Sequence, residues 1–340
     1  MMGGSAREDI GGDRFEARAR DRLLSPEMEA ILARLAEEDA ALGDPTLMKP
    51  RDGRAQAEAV NARWNRDMAA LFAASDFAIE GPDGNAVACR LMTPSGDAHG
   101  LIVFVHGGGW AFCSMATHEH AARRLAIAAN AHVLTFNYRL APEHPYPAGL
   151  DDCAAVWNAV LEGHGPLAGL GRPRALSGDS AGANLALALM LRQIDEGAAL
   201  PDAGLLFYGV YDDDFSSRSY IDSAEGPGLT RAKMMRYWDF YTPDTSVRKS
   251  PFVSPLKADD AALLKLPPLY LNAAAIDPLR SDTADLARRL EALGRRDTYR
   301  LYPGVVHGFM QMNPVLAEAR TAAEEAAGAF LEVAGKMKTT

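Results

Sequence analysis

From Asp76 onward the chain alternates between short apolar runs and amphipathic stretches, and that alternation predicts its architecture. Leu101–Val105 is apolar at every position, as expected of a strand covered on both faces of a sheet. His132–Phe136, Ala175–Ser177, Gly204–Val210 and Leu269–Ala273 have the same character, and Arg300–Tyr302 ends a last short strand. Between them, His118–Asn130, Gly149–Leu161, Ala183–Ile194 and Ser281–Leu293 carry helical spacing, and Pro314–Val333 predicts a C-terminal helix. Such an order predicts an α/β fold: a mostly parallel sheet with helices on both faces. Ahead of it, Phe77–Glu80 and Val87–Met92 predict a hairpin turning at Gly81-Pro82-Asp83-Gly84.

Two regions break the alternation. Residues 13–74 have no strand pattern. Ser25-Pro26-Glu27-Met28 predicts a helix N-cap with proline at the first helical position, followed by Ile31, Leu32 and Leu35 on one face. A second helix is predicted over Arg54–Phe72. Tyr211–Ser254 likewise lacks strands and carries Met234-Met235, Tyr237-Trp238 and Phe240-Tyr241. Both regions are expected to form a helical lid over the C-terminal edge of the sheet, where open α/β sheets bind ligands. The expected organisation is an N-terminal cap segment over 1–75, a core over 76–210 and 255–340, and an inserted cap segment over 211–254. The first dozen residues are expected to be disordered.

At 340 residues the chain can form one large α/β domain with an accessory part. Its net charge of −10, with no basic run, argues against nucleic acid and anionic membranes as partners. No stretch is long and apolar enough for a membrane span, and the N-terminus has no apolar run of the secretory kind. The three cysteines, Cys89, Cys113 and Cys153, are scattered, which suits reduced thiols and a cytoplasmic location. Cys113 follows a glycine-rich loop and is expected to be a small buried hydrophobe. His118-Glu119-His120 puts its rings on different helix faces, and Asp212-Asp213-Asp214 lacks the glycine and glutamate of a calcium loop. No metal and no cofactor is expected.

The chemistry concentrates in four places. Gly178-Asp179-Ser180-Ala181-Gly182 lies between a strand and a strong helix former, so Ser180 is expected on a strained turn with its Oγ exposed. A serine needs a base in reach and a group that orients the base. His307, in the turn Gly304-Val305-Val306-His307-Gly308-Phe309, is the only histidine after Ser180. Asp277, followed by Pro278, stands just past the strand that begins at Leu269. Its competitors are Asp282 and Asp285, expected to face solvent from a helix, and Asp297, too close in sequence to His307. His106-Gly107-Gly108-Gly109-Trp110 follows a buried strand directly, and its N–H groups, completed by Ala181, suit a developing oxyanion. His106 is expected to anchor that loop. Trp110, Phe112, Tyr208, Tyr211 and Phe309 are candidate substrate contacts.

With these residues, and with Asn137-Tyr138-Arg139-Leu140-Ala141-Pro142-Glu143-His144-Pro145-Tyr146-Pro147-Ala148 and Asp277-Pro278-Leu279-Arg280, the chain resembles the hormone-sensitive lipase family of α/β-hydrolases, the bacterial family IV esterases. The resemblance runs over about 76–333. It implies an eight-stranded α/β-hydrolase sheet with a helical cap that includes the N-terminus, and a Ser180–His307–Asp277 triad. It also implies an oxyanion hole from Gly108, Gly109 and Ala181, with Gly107 shaping the loop, and supporting roles for Glu143 and His144. A homodimer through the edge of the last strand is a further implication. Ala183, Ala273-Ala274-Ala275-Ile276 and Ser281-Asp282 depart from the family pattern and bear on pocket shape. The expected activity is a serine carboxylesterase acting on small to medium acyl esters. The same triad serves amidase, carbamate hydrolase or lactonase chemistry, and these motifs do not separate them. A non-catalytic ligand-binding member would be expected to lack a triad residue, and all three are present.

Overall fold

A computed structural model of the protein describes residues 13–338, Lys338 by its backbone alone; the first dozen residues, expected to be disordered, lie outside the described part. Two helices come first, α1 (Pro26–Glu38) and α2 (Pro50–Asn61), then the hairpin β1 (Ala73–Glu80) and β2 (Ala86–Thr93). The alternating part follows as β3 (Leu101–Val105), α3 (Glu119–Ala129), β4 (His132–Phe136), α4 (Ala148–Glu162), β5 (Arg174–Asp179), α5 (Ala181–Glu196) and β6 (Ala203–Phe207). After β6 come α6 (Arg218–Asp222), α7 (Arg231–Tyr241) and α8 (Asp260–Lys265). The chain then returns as β7 (Leu269–Ile276), α9 (Arg280–Ala292), β8 (Thr298–Val306) and α10 (Ala317–Lys338).

The strands form one eight-stranded sheet in the order β1-β2-β4-β3-β5-β6-β7-β8. β1 and β2 are antiparallel to their neighbours, and the strands from β4 to β8 are mutually parallel. β3 shows why its run is apolar throughout. Leu101, Val103 and Val105 pack into one hydrophobic layer with α4, α5 and α9, whereas Ile102 and Phe104 pack into the other with α1, α3 and α10.

The N-terminal region departs from expectation. α1 starts as predicted, with Ser25 Oγ accepting from the Met28 N–H at 3.2 Å. The second helix was expected over Arg54–Phe72, but α2 begins at Pro50 and ends at Asn61. Pro50 at the first helical position starts it early. At the other end α2 passes into a 3-10 turn over Ala62–Asn65, and from Ala73 the chain pairs with β2. The C-terminal helix begins at Ala317, after a short 3-10 turn over Phe309–Met312, and β8 is longer than its predicted end.

Candidate active site

The turn after β5 is forced by close approach. Ser180 has φ 54° and ψ −120°, between the last strand residue and the first turn of α5. A Cβ on Gly182 would stand 2.0 Å from the Val105 carbonyl oxygen, and one on Gly178 would stand 2.5 Å from Gly182. No side chain fits at either position, so the pentapeptide can bring its serine to the sheet edge only with glycine on both sides.

Three strand ends deliver the reacting groups. Ser180 follows β5, Asp277 follows β7 and His307 follows β8. Ser180 Oγ lies 2.9 Å from His307 Nε2, and His307 Nδ1 lies 2.8 Å from Asp277 Oδ2. With Nδ1–H donating to the carboxylate, Nε2 is left to accept the serine proton. Asp277 is fully buried, and its other oxygen accepts from the Leu279 N–H at 2.8 Å. Tyr208 follows the intervening strand β6, and its ring packs edge-on against the His307 imidazole with centroids 4.9 Å apart. Phe309 is buried behind Tyr208.

The glycine loop after β3 is built for donors. Gly108 has φ +119°, and a Cβ there would lie 2.1 Å from the Phe112 carbonyl oxygen. Among the described residues, the N–H groups of Gly108, Gly109 and Ala181 donate to no protein acceptor. The Gly107 N–H is already used: it donates to Asp179 Oδ1 at 2.8 Å. Gly107 therefore fixes the loop to the residue before the serine, which is the shaping role the resemblance implies.

A buried polar cluster supports this junction. His118 Nε2 lies 3.3 Å from Asp179 Oδ1. Burial pushes the Asp179 carboxyl up, but His118 and the Gly107 N–H outweigh it and hold it below the usual carboxylate range. His106 stacks on Tyr138 at 4.4 Å, and the Tyr138 hydroxyl donates to the His106 carbonyl oxygen at 3.0 Å. Burial first, then the neighbouring His118, lowers the His106 pKa to about 3, so it is a neutral packing group.

A family profile described by its alpha/beta hydrolase fold matches residues 102–311. The chain belongs to the α/β-hydrolase family. Carboxylesterase NlhH of Mycobacterium tuberculosis is 35% identical over 223 residues, covering 65% of this chain and 70% of that protein. Esterase LipI of the same organism is 33% identical over 255 residues, 73% of this chain and 78% of that protein. A hyperthermophilic esterase from the archaeon Pyrobaculum calidifontis superimposes with a TM-score of 0.84 at 31% identity, over 92% of this chain and 99% of that structure. These relatives place the hydrolase among esterases of the hormone-sensitive lipase type.

A cavity of about 460 Å³ reaches the oxyanion loop of this α/β-hydrolase at Gly108. Its walls come from Asp39–Pro45 and Gln56–Asn61, from Phe112 and Cys113, and from Lys233 and Tyr237 on α7. Arg54 ties α2 to the loop: its guanidinium donates to the Ala111 and Ala141 carbonyl oxygens, each at 2.7 Å, and pairs with Glu143. Arg236 ties α7 to the chain before α2, donating to Thr46 Oγ1 and Asp44 Oδ2, each at 2.6 Å.

The five candidate substrate contacts fall in different surroundings. Phe112 lines the cavity, and Tyr208 touches the His307 ring. Trp110 is buried, stacked on Tyr241 at 4.4 Å with its indole N–H directed to Asn184. Tyr211 is fully buried beside Gly209. Cys113, expected to be buried, is only half-buried because it lines the cavity, and desolvation pushes its thiol up to about 12.

Among the competing acids, Asp282 was expected to face solvent. It is buried and accepts from the Tyr211 N–H at 2.8 Å and the Asp212 N–H at 3.1 Å. Burial raises its pKa well above the usual range. It is a brace for the segment after β6, because the first turn of α9 points inward there. Asp285 is exposed. Asp297 precedes β8 and pairs with Arg295. Nine strand residues separate it from His307, about 30 Å of strand. The roles of Arg54, Arg236, Tyr237 and the His118–Asp179 pair were missed from sequence. Only Tyr237 had left a signal, in the aromatic stripe.

Proposed function

We propose that the protein is a serine carboxylesterase acting on small to medium acyl esters through an acyl-enzyme. The relay Ser180–His307–Asp277, at 2.9 and 2.8 Å, carries this reading. His307 Nε2 takes the Ser180 proton as Oγ bonds to the ester carbonyl carbon. The carbonyl oxygen becomes an oxyanion, met by the N–H groups of Gly108, Gly109 and Ala181. Collapse breaks the bond to the alcohol oxygen, which leaves with the proton from His307. A water then gives its proton to His307 and attacks the acyl carbon. The acid departs, and the proton returns to Ser180. Buried Asp277 holds the imidazole in the required orientation and stabilises its charged form.

Residues 13–75 and 211–254 act as the cap that selects the ester. The cavity of about 460 Å³ supports this, being in the range of small-molecule sites, roughly 300–1,000 Å³. The substrate is a small-molecule ester, and the chemistry needs no cofactor. The unpaired thiols among the described residues support a cytoplasmic location. β8 lies at the sheet edge and supports pairing with a second copy, although Ser25 already donates to the Gly304 carbonyl oxygen there. Light scattering tests the dimer. The reaction is tested by p-nitrophenyl esters from acetate to laurate together with fluorophosphonate labelling. Covalent label on Ser180 and a rate maximum at short or medium chains are expected. An unlabelled Ser180 removes the reading, and a maximum at laurate removes the substrate class.

A further inference from the structure

A second cavity, of about 490 Å³, lies between α1, the turn after α2, α3 and the start of α10. Six arginines line it, Arg34, Arg63, Arg66, Arg123, Arg124 and Arg320, against the carboxylates of Glu38 and Asp67. The chain as a whole carries a net −10, so this local excess of positive charge runs against its background. Part of it is matched nearby: Arg34 and Arg63 by Glu38, Arg63 also by Asp39, Arg123 by Glu119, Arg124 by Glu324.

A remainder is not matched. Arg66 is exposed and has no hydrogen-bond or ion-pair partner among the described residues. Arg320 donates to the Asn313 carbonyl oxygen. Arg124 Nε is buried without an acceptor. An oxyanion is the acceptor that a guanidinium's planar fork fits best, and the exposed fork of Arg66 is open to one. The same cavity has apolar surface: Ile127 and Val315 are both exposed there, and Trp64 forms part of the wall with the Arg34 guanidinium 6.0 Å from its ring centre.

We propose that this cavity binds a small organic oxyanion, a carboxylate or a phosphate monoester carrying a short apolar body. The guanidinium groups take the oxyanion in bidentate hydrogen bonds, and Ile127, Val315 and Trp64 cover the apolar body. The site shares no lining residue with the cavity at Gly108. Its occupation is measured without ester hydrolysis, so it stands or falls apart from the assigned reaction.

The experiment is isothermal titration calorimetry of the full-length protein with hexanoate and, separately, phenyl phosphate, at constant ionic strength set with chloride. Saturable binding of at least one anion is expected, weakened about tenfold or more in the double variant Arg66→Gln/Arg320→Gln. The two arms decide between carboxylate and phosphate. Circular dichroism melts check that the double variant folds. If it does not, the single variant Arg66→Glu, at an exposed and unpaired position, replaces it with the same expected loss. The proposal is overturned if neither anion binds below about 10 mM, or if the variant binds as tightly as the parent.

Discussion

The sheet-edge site around Ser180 and the cap cavity above it are held in different ways. At the sheet edge, backbone does the positioning. Each reacting group follows a parallel strand by one residue, and glycines at 178 and 182 let strand and helix meet within a distance that excludes a Cβ. The cap cavity is joined through side chains. Arg54 and Arg236 span from partly exposed helices to carbonyl, hydroxyl and carboxylate oxygens on other segments. A bond of that kind contributes about 1–3 kcal/mol, far less than the restraint of a sheet. A change around that cavity can therefore leave the Ser180–His307–Asp277 contacts untouched, and if the proposed roles hold it alters which ester fits, whereas a change at the edge alters the reaction itself.

Breaking the edge should have the largest effect. Ser180→Ala should lower kcat on p-nitrophenyl butyrate by about 10⁴-fold or more while the protein keeps its melting temperature; activity within tenfold of the parent contradicts the relay. Next comes Gly108→Ala. The added Cβ collides with the Phe112 carbonyl in a backbone conformation that disfavours it, so the loop shifts. Loss of one oxyanion donor should lower kcat by about 10²–10³-fold, with KM much less affected. A rise in KM with kcat unchanged would instead mean that the loop binds ground and transition states alike.

The cap side of the comparison is sharpened by Tyr237→Ala. The Tyr237 ring packs directly over Gly109 and faces Phe112 at 5.7 Å. Its removal should shift the hexanoate-to-acetate ratio of kcat/KM by about tenfold toward the longer chain, with Ser180 labelling unchanged. A parallel fall on both esters would place Tyr237 in the loop's support and not in chain-length selection.

The smallest effect is thermal. Burial keeps Asp282 protonated well above the usual range, whereas in the unfolded chain it ionises near pH 4. The folded state then holds more protons above that pH, so this group makes stability fall as pH rises. Asp282→Asn keeps an acceptor for Tyr211 and Asp212 and removes the titration. Melts at pH 5 and pH 8 should show the variant gaining on the parent by about 1–3 °C at the higher pH. An equal difference at both values would mean that the carboxyl is ionised throughout.

Much of the fold was readable because buried parallel strands are largely apolar, and β3 and β6 carry no polar side chain at all. The end of α2 was not readable. Past Asn61 the chain tightens into a 3-10 turn over Ala62–Asn65 that buries Trp64 among residues distant along the chain. Asp282 was misread for the same reason. Its place in a helical period suggested solvent, but α9 turns that position toward the N–H groups of Tyr211 and Asp212.

The sequence by itself determined which residues to nominate for the reaction, since an elbow, a glycine loop and a base each need particular residue types within a few positions of a strand end. Ser180, His307 and Asp277 could be named before any distance was known. Only the tertiary structure decided that the Gly107 N–H is consumed by Asp179 and that the N–H groups of Gly108, Gly109 and Ala181 are left free. It alone showed a cavity at Gly108 walled by three distant segments. Local chemistry is written in neighbours along the chain. Shape is written between residues such as Arg54 and Ala111, which meet only when the sheet has closed the distance between them.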